Sequence, residues 1–357
     1  MLRTFRSRAF HASSFRAKAT VENPARSFRF SKYLGTITVV GIGAATSAYF
    51  FFPDASRGAP TLKNEKLSPS HFTPCKVTST EPCGPNSQLI TVAIPPNALP
   101  HSHSATETET ETSPPFSPIW SVFIKDDDIQ VERPYTPLEG VNERGEMLFW
   151  IKKYPHGEVA RWLHSKVVGE EIGLRGPLQT WRWEDKEWDQ VIMISGGTGI
   201  TPFYQLFHSV ISRLPSAHKT RFTLLHSSRA PSELPPPSIL KPMISYAETN
   251  PDRLKMQLCV DSYGEGDHSR HHLGQKMELG RISKLHIKKS LGDVQSWWNW
   301  FSGHSDPTNQ QKTLFLVCGP ESMIAAIAGP YGRNFSQGAV GGVLAELGYT
   351  SGQVYKL

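Results

Sequence analysis

The sequence predicts two folded domains, a small antiparallel β-barrel followed by a doubly wound α/β domain with a parallel sheet. Between about Ser87 and Trp183, short runs of alternating apolar residues follow one another, and only one helix candidate, Gly157–Ser165, interrupts them. From Gln190 onward, apolar runs typical of buried strands alternate with helical segments. A third feature, an uncharged run before the first domain, predicts a membrane-spanning helix at residues 34–52.

The N-terminal segment carries most of the positive charge of the chain. Residues 1–33 contain eight Lys and Arg residues and one Glu, a local charge of +7 that leaves −1 for the rest of the 357-residue chain. A basic, Ser-rich segment with almost no acid is typical of a mitochondrial presequence. A disordered basic tail is the alternative interpretation.

Residues 34–52 form an uncharged run of nineteen residues. At ~1.5 Å per residue, a helix of this length matches the hydrocarbon thickness of a bilayer. The run lacks the polar stripe that a helix on a soluble domain would show. Because the Lys and Arg residues precede it, the positive-inside rule places the N-terminus in the mitochondrial matrix. We therefore expect a single-pass protein of the inner membrane, with its folded domains in the intermembrane space.

Composition divides the rest of the chain into a linker, two domains and two insertions. The polar linker covers residues 53–70, the barrel domain 71–186 and the α/β domain 187–357. The first insertion, 101–118, is rich in Thr and Glu and predicts a solvated loop. The second, 263–311, contains a cluster of tryptophans with three open interpretations: local packing, contact with a membrane surface, or binding of a partner.

Composition also argues against several other classes of protein. Because the net positive charge belongs to the leader, the folded part gives no indication of nucleic-acid binding. The four cysteines are too few for a disulfide scaffold. No Cys/His cluster has the spacing of zinc ligands, so the sequence predicts no metal site.

Three short motifs carry the candidate chemistry. They are Arg133-Pro134-Tyr135-Thr136-Pro137, Gly196-Gly197-Thr198-Gly199-Ile200-Thr201-Pro202 and Cys318-Gly319-Pro320. In this order and at this spacing, they resemble the flavin, pyridine-nucleotide and active-site segments of the ferredoxin–NADP reductase-type flavoenzymes. The resemblance covers about residues 87–357. It implies a flavin-binding barrel with FAD as cofactor, a nucleotide-binding α/β domain with NAD(P)H as coenzyme, and hydride transfer from NAD(P)H to the flavin.

The motif in the barrel domain has residue types that suit a flavin dinucleotide. The guanidinium of Arg133 offers paired donors to a pyrophosphate. The resemblance assigns an aromatic contact with the flavin to Tyr135, which follows Pro134, and a polar donor near the flavin N5 edge to Thr136. A turn with a packed Tyr and an exposed Arg is the alternative interpretation.

A second phosphate site is predicted where the helix of the barrel domain begins, since backbone N–H groups at a helix start bind phosphate. Its candidate contacts are Gly157, Glu158, Val159 and Ala160. Relatives usually carry Ser or Thr in place of Ala160, and one missing hydroxyl contact costs on the order of 1 kcal/mol. The resemblance adds Lys152 and Tyr154, on the strand just before, as contacts to flavin phosphate or ribose.

The glycine-rich motif follows a predicted strand and opens a helix, as a phosphate-binding turn does. Glycines accept positive φ angles and let the backbone approach a nucleotide. The candidate contacts are Gly196, Gly197, Thr198, Gly199 and Thr201. Thr201 and Pro202 suit the N-cap and the first helical position, and the resemblance places Thr201 near the contact between flavin and nicotinamide. An α/β turn that binds nothing is the alternative.

The third motif ends a strand and begins a helix. In the enzymes that it resembles, the Cys packs beside the nicotinamide and helps to position the hydride-donating carbon. The resemblance therefore implies that Cys318 shares the catalytic centre with Thr136 and Thr201, and that Gly319 and Pro320 contact the coenzyme.

Coenzyme choice depends on Arg229, which follows the second strand of the α/β domain. Its guanidinium suits the 2′-phosphate of NADPH, and no acidic residue lies within two positions of it. The sequence therefore slightly favours acceptance of NADPH, although an Arg in a loop is more often simply solvated.

Two narrower resemblances concern the electron acceptor. The C-terminal segment, Leu344–Leu357, resembles that of the cytochrome b5 reductase-type enzymes. The presequence, the single span and the two insertions are more similar to the fungal mitochondrial flavoproteins of cytochrome c import and haem attachment. That similarity implies electron transfer to haem or a haem protein beside the cytochrome c haem lyase. A reductase for cytochrome b5 is one alternative, and an assembly factor without flavin chemistry is another, which Ala160 supports.

Overall fold

The computed structural model describes residues 59–63, 65–99, 118–126, 130–155, 157–183, 188–263, 271–291 and 312–357. The expected presequence, the expected membrane span and the tryptophan cluster of the second insertion lie outside the described residues. Among the described residues, no helix combines the length and the apolar character needed to cross a bilayer.

The first domain is a six-stranded antiparallel sheet. Its strands are β1 (Thr73–Gly84), β2 (Ser87–Ala93), β3 (Ile119–Lys125), β4 (Glu132–Tyr135), β5 (Glu146–Lys152) and β6 (Glu171–Trp181). They are hydrogen-bonded in the order β4-β3-β6-β1-β2-β5, and all neighbouring pairs are antiparallel. Alternate side chains of the strands form one apolar core, into which helix α1 (Glu158–Ser165) packs Val159 and Leu163.

Three of these strands differ from the expectation. Strand β4, at Glu132–Tyr135, is not among the strands that the sequence predicts. Strand β1 was not expected, because its sequence contains prolines and its outer half is largely exposed. It forms because β2 and β6 pair with it from either side. The sequence predicts two separate strands at Glu171–Leu174 and Thr180–Trp183. The structure has a single strand, β6, which continues through Gly176 and Pro177 with an irregular register against β3.

The described end of the predicted linker is hydrogen-bonded to this domain. The backbone N–H of Phe72 donates to the carbonyl of Pro60, and the N–H of Leu62 donates to the carbonyl of Phe72. The carbonyl of Ser68 accepts from the N–H of Gly176. The chain from Pro60 onward is therefore held against the sheet before the first long strand begins.

The second domain is a seven-stranded sheet with helices on both faces. Its strands are β7 (Gln190–Gly196), β8 (Arg221–Ser228), β9 (Leu254–Val260), β10 (His271–His272), β11 (Gln275–Leu279), β12 (Thr313–Cys318) and β13 (Val354–Lys356). Its α-helices are α2 (Thr201–Ser209), α3 (Pro237–Thr249), α4 (Lys284–Ser290), α5 (Glu321–Ala328) and α6 (Gly342–Glu346). The strand order is β10-β11-β9-β8-β7-β12-β13, and every neighbouring pair except β10 with β11 is parallel.

Successive residues of the central strands supply two different cores, because side chains alternate across a strand. Met193 of β7 packs with α2 and α3 on one face, whereas Ile194 packs with α4 and α5 on the other. The two-domain prediction is therefore confirmed. From β7 the chain continues outward through β8 and β9 on one side, while β12 lies on the other side of β7. Such a reversal of strand order is where ligands of doubly wound sheets bind.

Helix α2 joins the two domains through Gln205, whose side chain is 2% exposed. Its amide oxygen accepts a hydrogen bond from the backbone N–H of Trp120 in β3 at 2.8 Å. Its amide nitrogen donates to the carbonyl of Pro137 at 2.9 Å. The neighbouring Tyr204 hydroxyl donates to Glu139 at 3.2 Å. One turn of helix therefore holds two separate segments of the antiparallel domain.

We expect the substitution Gln205→Leu to lower the free energy of unfolding by about 2–4 kcal/mol, because it leaves a buried N–H and a buried carbonyl without partners. Urea unfolding of the purified protein measures this loss. Gln337→Leu is the matched control, since Gln337 makes the same pair of contacts with the backbone of Lys356 but is only partly buried. Equal losses in the two variants would contradict a special role for Gln205.

Candidate functional site

A cavity of about 460 Å³ opens where β7 and β12 end, and both domains contribute to its walls. Six of the residues predicted for the site line it: Lys152, Tyr154, Gly196, Gly197, Arg229 and Pro320. We call this cavity the crevice. The structure therefore brings together candidate residues that lie far apart in the sequence.

The glycine-rich turn and the third motif, which line the crevice through Gly196, Gly197 and Pro320, are in direct backbone contact. A Cβ atom on Gly199 would overlap the carbonyl oxygen of Cys318, so only glycine fits there. Gly197 has a φ angle of +54°, and the Tyr154 hydroxyl lies 3.4 Å from the position that a Cβ on Gly197 would occupy. The turn is thus shaped by the third motif on one side and by the antiparallel domain on the other.

Cys318 ends β12 beside Ser195 of β7. Burial raises the pKa of its thiol to about 12, so the side chain is neutral at physiological pH. A neutral thiol is neither a nucleophile nor a proton carrier at that pH. The positioning role that the resemblance implies for Cys318 needs no ionised thiol, and it stays a prediction.

Thr201 begins helix α2 and is 7% exposed. Its hydroxyl donates to the carbonyl of Thr198 at 3.0 Å. The N-cap position is occupied by Ile200, so the expectation that Thr201 caps the helix is wrong. The short 3₁₀ turn at Gly197–Ile200 starts the helical path earlier than the sequence indicates. The hydroxyl of Thr201 stabilises the turn itself.

The flavin motif lies on β4, at one edge of the antiparallel sheet. Arg133 and Pro134 are exposed, and the guanidinium of Arg133 donates to the carbonyl of Glu132 at 2.9 Å. Tyr135 is partly buried against the apolar core, and this burial raises the pKa of its phenol. Within the described residues, the hydroxyl of Thr136 has no hydrogen-bond partner. An exposed cation, a held aromatic ring and an unpaired hydroxyl on one short segment fit a flavin dinucleotide.

The predicted phosphate site at the start of α1 is formed by backbone groups. Gly157 is the N-cap, and the first N–H groups of a helix have no acceptor within the helix. Glu158 is exposed, whereas Val159 and Ala160 are buried in the core of the antiparallel domain. Contacts of the two buried residues with a phosphate would therefore be made by their N–H groups.

Lys152 and Arg229 are both paired with Glu233, a site residue that the sequence analysis missed. The ammonium of Lys152 lies 2.5 Å from one Glu233 carboxylate oxygen, and the guanidinium of Arg229 lies 3.4 Å from the same oxygen. Burial tends to raise the pKa of Glu233, but Lys152 and Arg229 outweigh this effect and hold the pKa below its usual value. The Lys152–Glu233 pair crosses the crevice from one domain to the other.

Asp261 and Arg281 also line the crevice and were also missed. The guanidinium of Arg281 lies 3.4 Å from an Asp261 carboxylate oxygen, and the Arg281 side chain is 87% exposed. The sequence did carry a signal for Asp261, because it directly follows β9 and the carboxyl ends of parallel strands meet at the ligand-binding edge.

A buried polar chain supports the loop that carries Glu233. The Ser195 hydroxyl lies 2.8 Å from Nδ1 of His226, and Nε2 of His226 lies 3.1 Å from the Ser228 hydroxyl. The Ser228 hydroxyl donates to the backbone carbonyl of Glu233 at 3.3 Å. Burial, assisted by the charge of Lys152, lowers the pKa of His226 to about 3, so the ring is neutral. From the sequence, Phe222–His226 is predicted only as an apolar strand, which gives no indication of this polar chain.

A second cavity, of about 560 Å³, lies at the amino ends of β12 and β13. Its walls include Trp181, Trp188 and Tyr355. None of its described lining residues belongs to the three motifs. The crevice at the carboxyl ends is therefore the better candidate for the functional site.

Two family models match the chain over the two described domains. The model of the oxidoreductase FAD-binding domain matches residues 119–183, which include the flavin motif. The model of the oxidoreductase NAD-binding domain matches residues 193–329, which include the glycine-rich turn and the third motif. The motifs predict FAD in the first domain and the nicotinamide coenzyme in the second. The two models assign FAD binding and NAD binding to the chain in the same order.

Curated relatives carry the name NADH-cytochrome b5 reductase 2. The protein from Mycosarcoma maydis is 32% identical over 234 residues, which are 65% of this chain and 59% of that protein. The protein from Meyerozyma guilliermondii is 32% identical over 226 residues, 63% of this chain and 67% of that protein. The protein from Scheffersomyces stipitis is 30% identical over 234 residues and is covered to 69%. The match thus spans about three fifths to two thirds of these relatives.

Solved structures show the same fold. The cytochrome b5 reductase domain of Ulva prolifera nitrate reductase aligns with a TM-score of 0.57 at 18% identity, covering 82% of this chain and all of that domain. The CS-b5R domains of human Ncb5or align with a TM-score of 0.56 at 17% identity, covering 80% of this chain and 69% of that one.

The close contact at Gly199 makes a direct prediction. We expect Gly199→Ala to destabilise the protein by about 1–3 kcal/mol and to weaken binding of a nicotinamide coenzyme, because the added methyl displaces the backbone of Cys318. Urea unfolding and coenzyme titration measure both effects. Gly352→Ala is the control, since nothing lies within 4 Å of the added atom. Normal coenzyme binding by Gly199→Ala would contradict the placement of the site.

Proposed function

Because the chain belongs to the FAD- and NAD-binding oxidoreductase family of the NADH-cytochrome b5 reductases, we propose that it oxidises NADH and delivers the electrons to a haem protein. The observation that carries this proposal is the backbone contact between Gly199 and Cys318, which holds together two motifs whose neighbouring residues Gly196, Gly197 and Pro320 line a crevice shared by both domains. When bound, FAD supplies a ring that accepts a hydride and can release electrons singly.

The residues of the antiparallel domain hold the cofactor in this proposal. Arg133 and the N–H groups at the start of α1 bind the pyrophosphate, since both offer donors to phosphate oxygens. Tyr135 packs against the ring system, and the unpaired hydroxyl of Thr136 donates a hydrogen bond to its polar edge. The resemblance supplies these roles, and the exposure of Arg133 and the hydroxyl of Thr136, unpaired among the described residues, support them.

The residues of the α/β domain place the coenzyme. Gly197 and Gly199 let the backbone approach the dinucleotide without side-chain interference. Thr201 keeps this turn rigid through its bond to Thr198. The neutral Cys318 packs beside the nicotinamide, so its contribution is orientation. Hydride transfer requires near-contact and alignment of the two rings, which is what a rigid crevice provides.

We further propose that NADH is preferred over NADPH. Arg229, which suits a 2′-phosphate, lies beside Glu233, and Arg281 lies beside Asp261. A 2′-phosphate would have to displace a carboxylate from one of these pairs, and two carboxylates in the same crevice would repel it. The slight preference for NADPH expected from the sequence therefore loses its support.

We propose the mitochondrial inner membrane as the location, with the domains in the intermembrane space. The basic leader and the uncharged run at 34–52 support it.

For the electron acceptor, the narrower proposal is haem destined for cytochrome c, with the haem lyase as partner. The leader, the predicted span and the two insertions support this proposal. A cytochrome b5-type acceptor has the support of the relatives' name. The other alternative is a cytochrome c assembly factor without flavin chemistry, and Ala160 is the residue that supports it.

Purified full-length protein tests these proposals. We expect yellow protein with about one FAD per chain. We also expect a kcat/KM with ferricyanide at least about tenfold higher for NADH than for NADPH, because juxtaposed like charges cost several kcal/mol and about 1.4 kcal/mol already corresponds to a factor of ten. Arg133→Ala should lower FAD occupancy, whereas Arg333→Ala, which removes another exposed Arg, should not.

Reduction of cytochrome b5 compared with haem bound to its lyase then separates the two acceptors. Colourless protein that takes up no FAD would refute the enzymatic proposal.

A further inference from the structure

The crevice contains three cations that suit the phosphates of a dinucleotide, and each of them lies beside a carboxylate. Lys152, which the resemblance gives as a flavin contact, is counted among them because its ammonium faces Glu233 of the α/β domain. Lys152 and Arg229 share Glu233, and Arg281 has Asp261. The phosphates of a coenzyme carry negative charges that require such cations. Coenzyme binding in this crevice therefore has to compete with a negative charge that the protein itself supplies.

Glu233 is the carboxylate in the strongest position to compete. Its Oε2 atom contacts both Lys152 and Arg229, at 2.5 and 3.4 Å. The side chain of Lys152 is only 7% exposed, so a nearby anion is needed to compensate its charge. The same cations also hold the pKa of Glu233 below its usual value, which keeps the carboxylate charged at neutral pH.

The backbone under Glu233 is fixed, whereas its side chain is partly exposed. The carbonyl of Glu233 accepts from Ser228, which is held in turn by the buried ring of His226. The side chain of Glu233 is 25% exposed and faces the crevice. The carboxylate can therefore move away from Lys152 by side-chain rotation while the loop stays in place.

We propose that Glu233 is an internal counter-ion that occupies the phosphate-binding cations when no coenzyme is bound and that sets coenzyme affinity and selectivity by competing with the incoming phosphates. The inference rests on the proposed binding of a dinucleotide in the crevice. An acidic residue that accepts hydrogen bonds from the coenzyme ribose strengthens coenzyme binding. In this proposal Glu233 weakens it. Because NADPH brings a further phosphate, the competition acts more strongly against NADPH than against NADH.

Binding of ADP-ribose and 2′-phospho-ADP-ribose to the oxidised full-length holoenzyme tests the proposal by calorimetry, without turnover. We expect Glu233→Gln to lower the Kd of ADP-ribose about threefold to tenfold and that of the 2′-phosphorylated probe by a larger factor, since a competing charge is removed from beside both ligands. Glu278→Gln is the matched control. Glu278 also contacts two basic side chains, His286 and Lys289, but does not line the crevice.

Weaker binding of ADP-ribose by Glu233→Gln would overturn the proposal, because it would show that Glu233 is a ligand of the coenzyme. A change no larger than that in Glu278→Gln would overturn it as well. Glu233→Asp provides a second test that keeps the charge and the fold, and its shorter side chain should give an intermediate gain in affinity. Failure of the wild-type holoenzyme to bind ADP-ribose at all would instead count against the proposed function.

Discussion

The buried amide of Gln205 fixes the relation between the two domains. It donates to the carbonyl of Pro137, the residue directly after Thr136, and accepts from the N–H of Trp120. In helix α2, Gln205 lies one turn after Thr201, which ends the glycine-rich turn. One side chain therefore links the flavin motif to the coenzyme motif. Neither motif can move relative to the other without exposing unpaired backbone groups in a buried interface.

The charge states of the residues around the crevice are a second fixed property of the site, because these residues do not titrate near neutral pH. Cys318 titrates at about 12 and His226 at about 3, and the pKa of Glu233 lies below its usual value. The ion pair of Glu233 stabilises the fold above the unfolded pKa of the carboxyl and is lost as pH falls through the lowered value. His226 acts in the same direction, since the unfolded chain binds a proton below pH 6.5 that the folded ring refuses. Lowering the pH therefore lowers the free energy of unfolding through both Glu233 and His226.

The motifs and the two-domain fold could be predicted because they depend on local patterns. Residues such as Gly196 and Cys318 follow apolar strands, and parallel strands bring such ends together. The partners of these residues could not be predicted in the same way. Glu233 and Lys152 are distant in sequence and meet only because the two domains dock, with Gln205 among the contacts between them. Strand β1 was missed because its pairing with β2 and β6, rather than its own composition, makes it a strand.

In the proposed site, neutral side chains fix the orientation of the coenzyme, and charged side chains limit its affinity. In the proposed function, Thr201 and Cys318 orient the coenzyme without ionising at neutral pH, and the proposed competition by Glu233 limits how tightly a phosphate is held. Such a division suits an enzyme whose oxidised coenzyme has to leave after each turnover.

A crystal structure of the full chain with FAD and NAD⁺ tests the central claim most directly. We predict that the flavin ring lies against Tyr135, that the nicotinamide lies against Cys318 and that the two rings are stacked within about 3.5 Å of each other, the separation that hydride transfer needs. A coenzyme bound elsewhere, for example in the cavity lined by Trp181 and Tyr355, or a flavin facing away from Cys318, would contradict it.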